Sequence, residues 1–303
     1  MADPLPSAGL RLWIGRIVFL GLAGLISLSV MMLGSQEAGL QRDVLQLDLS
    51  EVVLLRRPDR DPGPVVVVMH GFAGSSQLMG AYAIALARSG YTVASFDFLG
   101  HGRSDQPLTG SLVETSGATV ALLAQLGEVV DRVAMLPGAE QGVGLLGHSM
   151  AGDILVRQAQ ADPRIDGLVG ISMYASTLTR TTPGNLLMIV GQFESGLLGE
   201  AISRLPVDAG EPGRTYGAFA DSTARRAVVA PGVEHVSVLY SQVAVTEAVA
   251  WFDTVWGRDP AAVPVPARGL WLLVLLASLV ACARGLAFRY PVLSATPAGA
   301  CLP

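Results

Sequence analysis

The stretch Gly147-His148-Ser149-Met150-Ala151-Gly152 follows directly after the apolar run Val143–Leu146. A short strand that leads into a serine between small residues is typical of a sharp strand-to-helix turn, which holds the serine hydroxyl above the sheet edge. Such a turn strains the backbone of the serine and brings strand and helix close together, so the flanking positions favour small residues. Gly147 meets that need on one side and Ala151, where glycine is more usual, on the other. The motif predicts Ser149 as a nucleophile.

Two further glycine-rich segments follow predicted strands. Val65–Met69 is an uninterrupted apolar run, typical of a parallel strand buried on both faces, and leads into the loop His70–Ser76. A second strand, Tyr91–Phe96, ends in the segment Asp97–Asp105. Because all three motifs occur in order and in a strand–turn–helix context, together they are more specific than the serine motif alone.

These three segments resemble the α/β-hydrolase family, specifically serine-nucleophile members such as monoglyceride lipases, small carboxylesterases and serine aminopeptidases. The resemblance covers Leu45 to Trp256 and implies an α/β-hydrolase domain over residues 44–257. Lidded relatives insert a helical cap where this chain has only a short connection from Ser172 to Leu186. We therefore expect no large cap domain and an open site, rimmed by the segment Ser195–Ser222.

Strand and helix patterns alternate between residues 44 and 257, which predicts a mostly parallel sheet with helices on both faces. Besides the strands already named, the pattern predicts an antiparallel hairpin at Val44–Leu49 and Glu51–Leu55, and later strands at Leu168–Ser172, Leu186–Val190 and Arg225–Val229. Helices are predicted over Leu78–Ser89, Gly117–Met135 and Met150–Ala161.

A serine hydroxyl becomes a nucleophile only beside a base that a third group orients. Three of the four histidines belong to the glycine motifs, where the resemblance implies structural or site-lining roles: His70, His101 and His148. The resemblance implies His235 as the base, because the family's order of nucleophile, acid and histidine puts the base after the last strand. The alternative for His235 is an ordinary histidine of a surface loop.

The acid of such relatives follows the penultimate strand in a Gly-x-x-Asp turn, and the matching residues here are Gly191–Glu194. The resemblance therefore implies Glu194, since glutamate can orient an imidazole as aspartate does. Glu234 adjoins His235, but neighbouring side chains on an extended loop point apart. Asp208 and Asp221 remain alternatives. The backbone N–H groups of Phe72 and Met150 are implied as donors to an oxyanion.

Composition limits the chemistry further. The 303 residues carry a net charge of −5, which gives no basic surface for nucleic acid. All 20 basic residues are arginine, and the absence of lysine excludes a Ser–Lys dyad, a Schiff base and a phosphate-loop lysine. Cys282 and Cys301 lie outside the predicted catalytic region, so neither a catalytic thiol nor a zinc cluster is expected. We expect no cofactor and no metal.

The chain is 51% hydrophobic, and the excess lies at its two ends. Residues 12–33 and 269–288 are each about long enough to cross a bilayer, with a Pro-rich connector at 258–268 and a tail at 289–303. A cleaved signal peptide is the alternative for the first segment, but its long apolar core and the lack of a small-x-small site before Gln36 favour an uncleaved anchor. A buried helix is the alternative for the second, which lacks a polar face.

Two spans would leave both chain ends on one side of the membrane and the catalytic domain on the other. Arginines on the terminal side of the spans slightly outweigh those on the domain side: Arg11, Arg16, Arg284 and Arg289 against Arg42, Arg258 and Arg268. This bias favours an extracytoplasmic catalytic domain.

The resemblance and the two apolar segments together thus predict a membrane-anchored serine hydrolase that cleaves carboxylic esters, lipid acyl esters among them, through an acyl-enzyme on Ser149. Its expected partners are a small-molecule or lipid ester and the membrane. A serine peptidase or thioesterase of the same fold is an alternative. A catalytically silent hydrolase fold that acts as an interaction module is another, although a silent descendant is expected to lose the serine, the histidine or the glycine-rich donors.

Overall fold

The computed structural model describes residues 8–110, 117–259 and 265–289. These residues form two compact units: one contains the helices α1 (Ala8–Ser35) and α7 (Arg268–Arg289), and the other extends from Gly39 to Pro266. Residues 260–264 of the predicted Pro-rich connector and the predicted tail beyond residue 289 lie outside the described residues.

The larger unit is built on a nine-stranded sheet with the order β1-β2-β4-β3-β5-β6-β7-β9-β8. The six strands from β4 through β9 in that order pair in parallel, whereas β1, β2 and β8 are attached at the edges by antiparallel pairing. The strands are β1 Gln41–Gln46, β2 Glu51–Arg56, β3 Val65–Met69, β4 Thr92–Phe96, β5 Val143–His148, β6 Ile165–Ile171, β7 Leu186–Gly191, β8 Thr215–Tyr216 and β9 Arg225–Ala230.

Alternate side chains of the buried strands point to opposite faces of the sheet, so both faces are apolar. Helices cover both of them. In β3, the side chains of Val65, Val67 and Met69 join one core, and those of Val66 and Val68 join the other. The first core includes α3 (Ala118–Val133), α4 (Ala151–Ala161) and α5 (Ser195–Ser203), and the second includes α2 (Gly80–Arg88) and α6 (Gln242–Val255). The predicted mostly parallel sheet with helices on both faces is confirmed.

The order of the strands reverses at β3, since the chain next adds β4 on one side and then β5 on the other. Ligands of open parallel sheets bind beyond the carboxyl ends of the strands at such a reversal. Met69 and Gly147, at the ends of β3 and β5, lie side by side in the register. The loops that follow these two strands therefore meet at the expected position of a site.

The connection from β6 to β7, residues 172–185, is fully described and contains no helix. The expectation that no large cap domain covers this edge is confirmed. The hairpin differs from the prediction: β1 covers Gln41–Gln46 instead of Val44–Leu49. The short strand β8 and the helices α5 and α6 were not predicted from the sequence.

The α1–α7 unit has an inverted burial pattern. The two helices pack against each other, and the segments Trp13–Ser35 and Arg268–Ala287 are long and apolar enough to cross a membrane by length and composition. Among the described side chains of these two segments, those that are buried belong to Ser29 and Ser278. Large apolar side chains are exposed instead, among them Ile17, Leu20, Val30, Leu273, Leu276 and Val280.

Candidate active site

The carboxyl ends of β5, β7 and β9 bring three of the predicted residues together. Ser149 follows β5 directly, and its Oγ lies 2.9 Å from Nε2 of His235, on the loop after β9. The other ring nitrogen of His235, Nδ1, lies 2.6 Å from Oε1 of Glu194, which precedes α5. In this arrangement the imidazole can accept the serine proton while the carboxylate holds the opposite nitrogen protonated.

The backbone of Ser149 has the strained geometry that the flanking small residues predict. Its φ is +53°, in the left-handed region that is uncommon for residues other than glycine. The amide of Ser149 donates to the carbonyl of Ile171 at 2.9 Å, which ties the turn to β6. A Cβ on Gly147 would lie 2.9 Å from the Cβ of Ala151, so strand and helix approach closely here.

Both oxygens of the Glu194 carboxylate are occupied. While Oε1 faces His235, Oε2 accepts hydrogen bonds from the amide of Gly191 at 2.8 Å and from the hydroxyl of Ser172 at 2.5 Å. Ser172 was not predicted from the sequence; its signal was a polar residue directly after the apolar run Leu168–Ile171. The other acids considered are bonded elsewhere: Asp208 to Arg180, Asp221 to Thr223, and Glu234 to the amides of Val236 and Ser237.

The loop after β3 passes directly against the serine. A Cβ on Gly71 would lie 2.9 Å from the Cβ of Ser149 and 2.8 Å from Nδ1 of His148. The amides of Phe72, in this loop, and of Met150, at the start of α4, donate no hydrogen bond to any other residue that the structure describes. Unpaired amides beside a nucleophile are suited to bind a developing negative charge on oxygen.

Two buried histidines support these loops. His70 Nδ1 lies 2.7 Å from the carbonyl of Gly71, and His70 Nε2 accepts from the amide of Phe98 at 3.0 Å, which assigns the proton to Nδ1. His148 Nε2 donates to the carbonyl of His235 at 2.8 Å and so joins the serine turn to the histidine loop. Burial lowers the pKa of both rings, that of His148 to about 4, so both are neutral at pH 7.

The segment after β4 is braced by its own first residue. The carboxylate of Asp97 accepts from the amides of Ser76 at 2.6 Å and Arg103 at 2.8 Å. Burial, the largest single effect, would raise the pKa of Asp97, but the hydrogen bonds from Ser76 and Arg103 together with neighbouring His70 lower it. His101 of the same segment packs edge-on against the ring of Phe72, 5.4 Å between centroids. The segment thus supports the loop beside Ser149.

Exposed apolar side chains lie next to the site residues in the chain. Each follows a carboxyl end of a parallel strand, lies within two residues of a residue described above, and is more than half exposed: Phe72, Tyr174, Phe193 and Val236. We call these four residues the apolar rim.

Within the described part of the chain, no group of three or more His, Cys, Asp or Glu side chains could hold a metal ion.

Comparisons with known proteins agree with this architecture. Residues 60–230 match the Hydrolase_4 family model, described as serine aminopeptidase, S33. The matched segment contains Ser149 and Glu194 and ends shortly before His235. A structure of TT1662 from Thermus thermophilus covers 73% of this chain and 99% of its own, with a TM-score of 0.53 at 14% identity, which shows likeness of fold alone.

Two relatives are similar in sequence over shorter segments. A non-heme chloroperoxidase of Streptomyces lividans is 34% identical over 140 residues, which cover 45% of this chain and 47% of the relative. A putative 2-succinyl-6-hydroxy-2,4-cyclohexadiene-1-carboxylate synthase of Bacillus subtilis (strain 168) is 33% identical over 129 residues, 41% of this chain and 40% of the relative. The chain thus spans less than half the length of either relative. Because the family model covers more than half of the chain, the protein belongs to the Hydrolase_4 family of α/β-hydrolases, described as serine aminopeptidase, S33.

Proposed function

We propose that this hydrolase is a membrane-anchored serine esterase that cleaves carboxylic esters, lipid acyl esters in particular, through an acyl-enzyme on Ser149. The observation that carries the proposal is the hydrogen-bonded series from Ser149 through His235 to Glu194. It lies beside two amides, those of Phe72 and Met150, that donate to no other described group.

In the acylation step, Ser149 Oγ attacks the ester carbonyl carbon and His235 Nε2 takes the hydroxyl proton. The amides of Phe72 and Met150 donate to the carbonyl oxygen as it becomes negative. The C–O bond to the alcohol then breaks, and His235 returns the proton to the leaving oxygen. Throughout, Glu194 keeps Nδ1 protonated and stabilises the imidazolium.

Deacylation reverses these roles. A water molecule attacks the acyl carbon while His235 takes its proton, and the bond to Ser149 Oγ breaks as His235 returns that proton to the serine. The products are a carboxylic acid and the free enzyme. No other reactant is needed.

The apolar rim supports a substrate with an apolar acyl or alkyl group. Its side chains expose apolar surface on the loops that carry the site residues, and covering such surface contributes roughly 25 cal/mol per Å². A fully polar substrate would gain nothing from this contact. Exposed apolar patches beside a reactive group are a common mark of a ligand or membrane contact.

The burial pattern of α1 and α7 supports membrane anchoring. In water, a helix pair buries its apolar side chains, whereas this pair exposes them and buries Ser29 and Ser278. Small residues at the helix–helix contact and large apolar residues outside are typical of helices packed within a bilayer.

Labelling with a fluorophosphonate probe tests the nucleophile. The protein is expected to form an adduct on Ser149, and Ser149→Ala to abolish labelling, because among the described residues only this hydroxyl is hydrogen-bonded to His235. Ser203→Ala is the matched control, since Ser203 is exposed on α5 and its hydroxyl donates to the carbonyl of Glu200. Equal labelling of Ser149→Ala and the parent would refute the proposal.

A substrate panel, run on unlabelled enzyme, then separates the alternatives. Esters with longer acyl chains are expected to have the higher kcat/KM, ahead of matched thioesters and aminoacyl amides. A preference for aminoacyl amides would favour a peptidase, and a preference for thioesters a thioesterase. A protein that neither labels nor turns over any of the three would fit a silent interaction module.

Membrane topology is tested by protease treatment of spheroplasts that carry the protein with a tag at each end. We expect the domain to be digested and both tags to be protected, because two spans put both ends on one side and the arginine bias favours cytoplasmic ends. Permeabilised membranes are the control. Protection of the domain would reverse the orientation, and tags on opposite sides would eliminate the second span.

A further inference from the structure

Ser172 occupies a constrained position beside the site. It follows the last residue of β6, its side chain is buried, and its φ is +46°. Its amide donates to the carbonyl of Ile189 in β7 at 2.7 Å. A serine with left-handed backbone geometry at a buried strand end is uncommon. Such strained residues cluster at functional sites.

The hydroxyl of Ser172 donates to Glu194 Oε2 at 2.5 Å. The same oxygen accepts from the amide of Gly191 at 2.8 Å, while Oε1 lies 2.6 Å from His235. The carboxylate therefore has one oxygen held by two donors and the other directed at the imidazole. These three contacts fix both the position of the carboxylate and its rotation.

A second donor matters more for glutamate than for aspartate. Glutamate has one more rotatable bond, so more conformational freedom must be lost to hold its carboxylate in one orientation. The acceptor is a carboxylate whose side chain is only 8% exposed, and hydrogen bonds to carboxylates are among the stronger ones in proteins.

We propose that Ser172 is a positioning residue that acts through Glu194: its hydroxyl holds the carboxylate so that Oε1 keeps His235 aligned with Ser149. This inference rests on the proposed function. It assigns Ser172 no contact with the substrate, so its loss should affect the rate of acylation and leave substrate binding alone.

Two substitutions separate the hydroxyl from the backbone. Ser172→Ala removes the hydroxyl and keeps the positive φ, whereas Ser172→Gly removes the hydroxyl and suits the positive φ. Both are expected to lower kcat and the rate of fluorophosphonate labelling about tenfold or more, with KM unchanged. Ser95→Ala is the control, since Ser95 is equally buried in β4 but its hydroxyl has no partner among the described residues.

The decisive measurement is the coupling to Glu194, made on the full-length protein in detergent. In a Glu194→Ala background, Ser172→Ala is expected to cause no further loss of the residual labelling rate, because the carboxylate through which it acts is gone. A merely structural serine would cause the same loss in both backgrounds, and that result would overturn the inference, as would normal rates in both Ser172 variants. A parent protein that fails to label would instead refute the proposed function, and this inference with it.

Discussion

Replacing His235 by alanine is expected to lower kcat by about three orders of magnitude or more and to leave KM nearly unchanged. His235 bridges Ser149 and Glu194 through its two ring nitrogens, so its loss removes the proton acceptor that acylation needs. We expect the loss in kcat alone, because the ring transfers a proton during the reaction and has no role in binding the substrate. Steady-state hydrolysis of a chromogenic ester measures both constants.

Variants of the acids complete this test. Glu194→Gln is expected to reduce kcat less than His235→Ala does, whereas Asp208→Asn is expected to leave it unchanged, because Asp208 is exposed and pairs with Arg180. A normal rate in Glu194→Ala, together with a collapse in an Asp208 or Asp221 variant, would move the role of the acid to that aspartate.

Gly71→Ala is expected to lower kcat about a hundredfold. The new methyl group would lie 2.9 Å from the Cβ of Ser149 and 2.8 Å from the ring of His148, and neither neighbour is free to move. The loop would shift instead and displace the amide of Phe72 from the carbonyl oxygen. Loss of one oxyanion donor typically costs a factor of about 100 to 1,000 in kcat.

The matched control is Gly196→Ala in α5, where an added Cβ meets nothing within 4 Å. That variant is expected to retain the parent rate. Far-ultraviolet circular dichroism of both variants checks that the domain remains folded. Full activity in a folded Gly71→Ala protein would contradict the proposed position of the oxyanion.

The core of the fold was predictable because the central strands are largely apolar, with β3 an unbroken apolar run. Val65–Met69 is buried on both faces, and the predicted alternation of strands and helices around it is present. The edge hairpin was less predictable. Its turn at Asp48 and Leu49 is held by the carboxylate of Glu128, which accepts both amides from a position some 80 residues away. No local pattern contains that contact, so the predicted strand was placed three residues too late.

The residues of the site were likewise predictable in part. Ser149, Glu194 and His235 were predicted from motifs and chain order, and hydrogen bonds join them in the structure, while their roles stay predictions. Ser172 could not be found by these rules, because its contact with Glu194 depends on the adjacent positions of β6 and β7 in the sheet. A search for polar residues at the ends of apolar strands would have raised it as a candidate.

The uncapped connection between β6 and β7 has a consequence for the time course of the reaction. In lidded enzymes, opening and closing of the cover often limits turnover. No helix in residues 172–185 has to swing aside here, so product should accumulate linearly from the first turnover, without a lag. The same openness lets solvent reach an acyl group on Ser149. Hydrolysis should therefore outcompete transfer of the acyl group to a second alcohol.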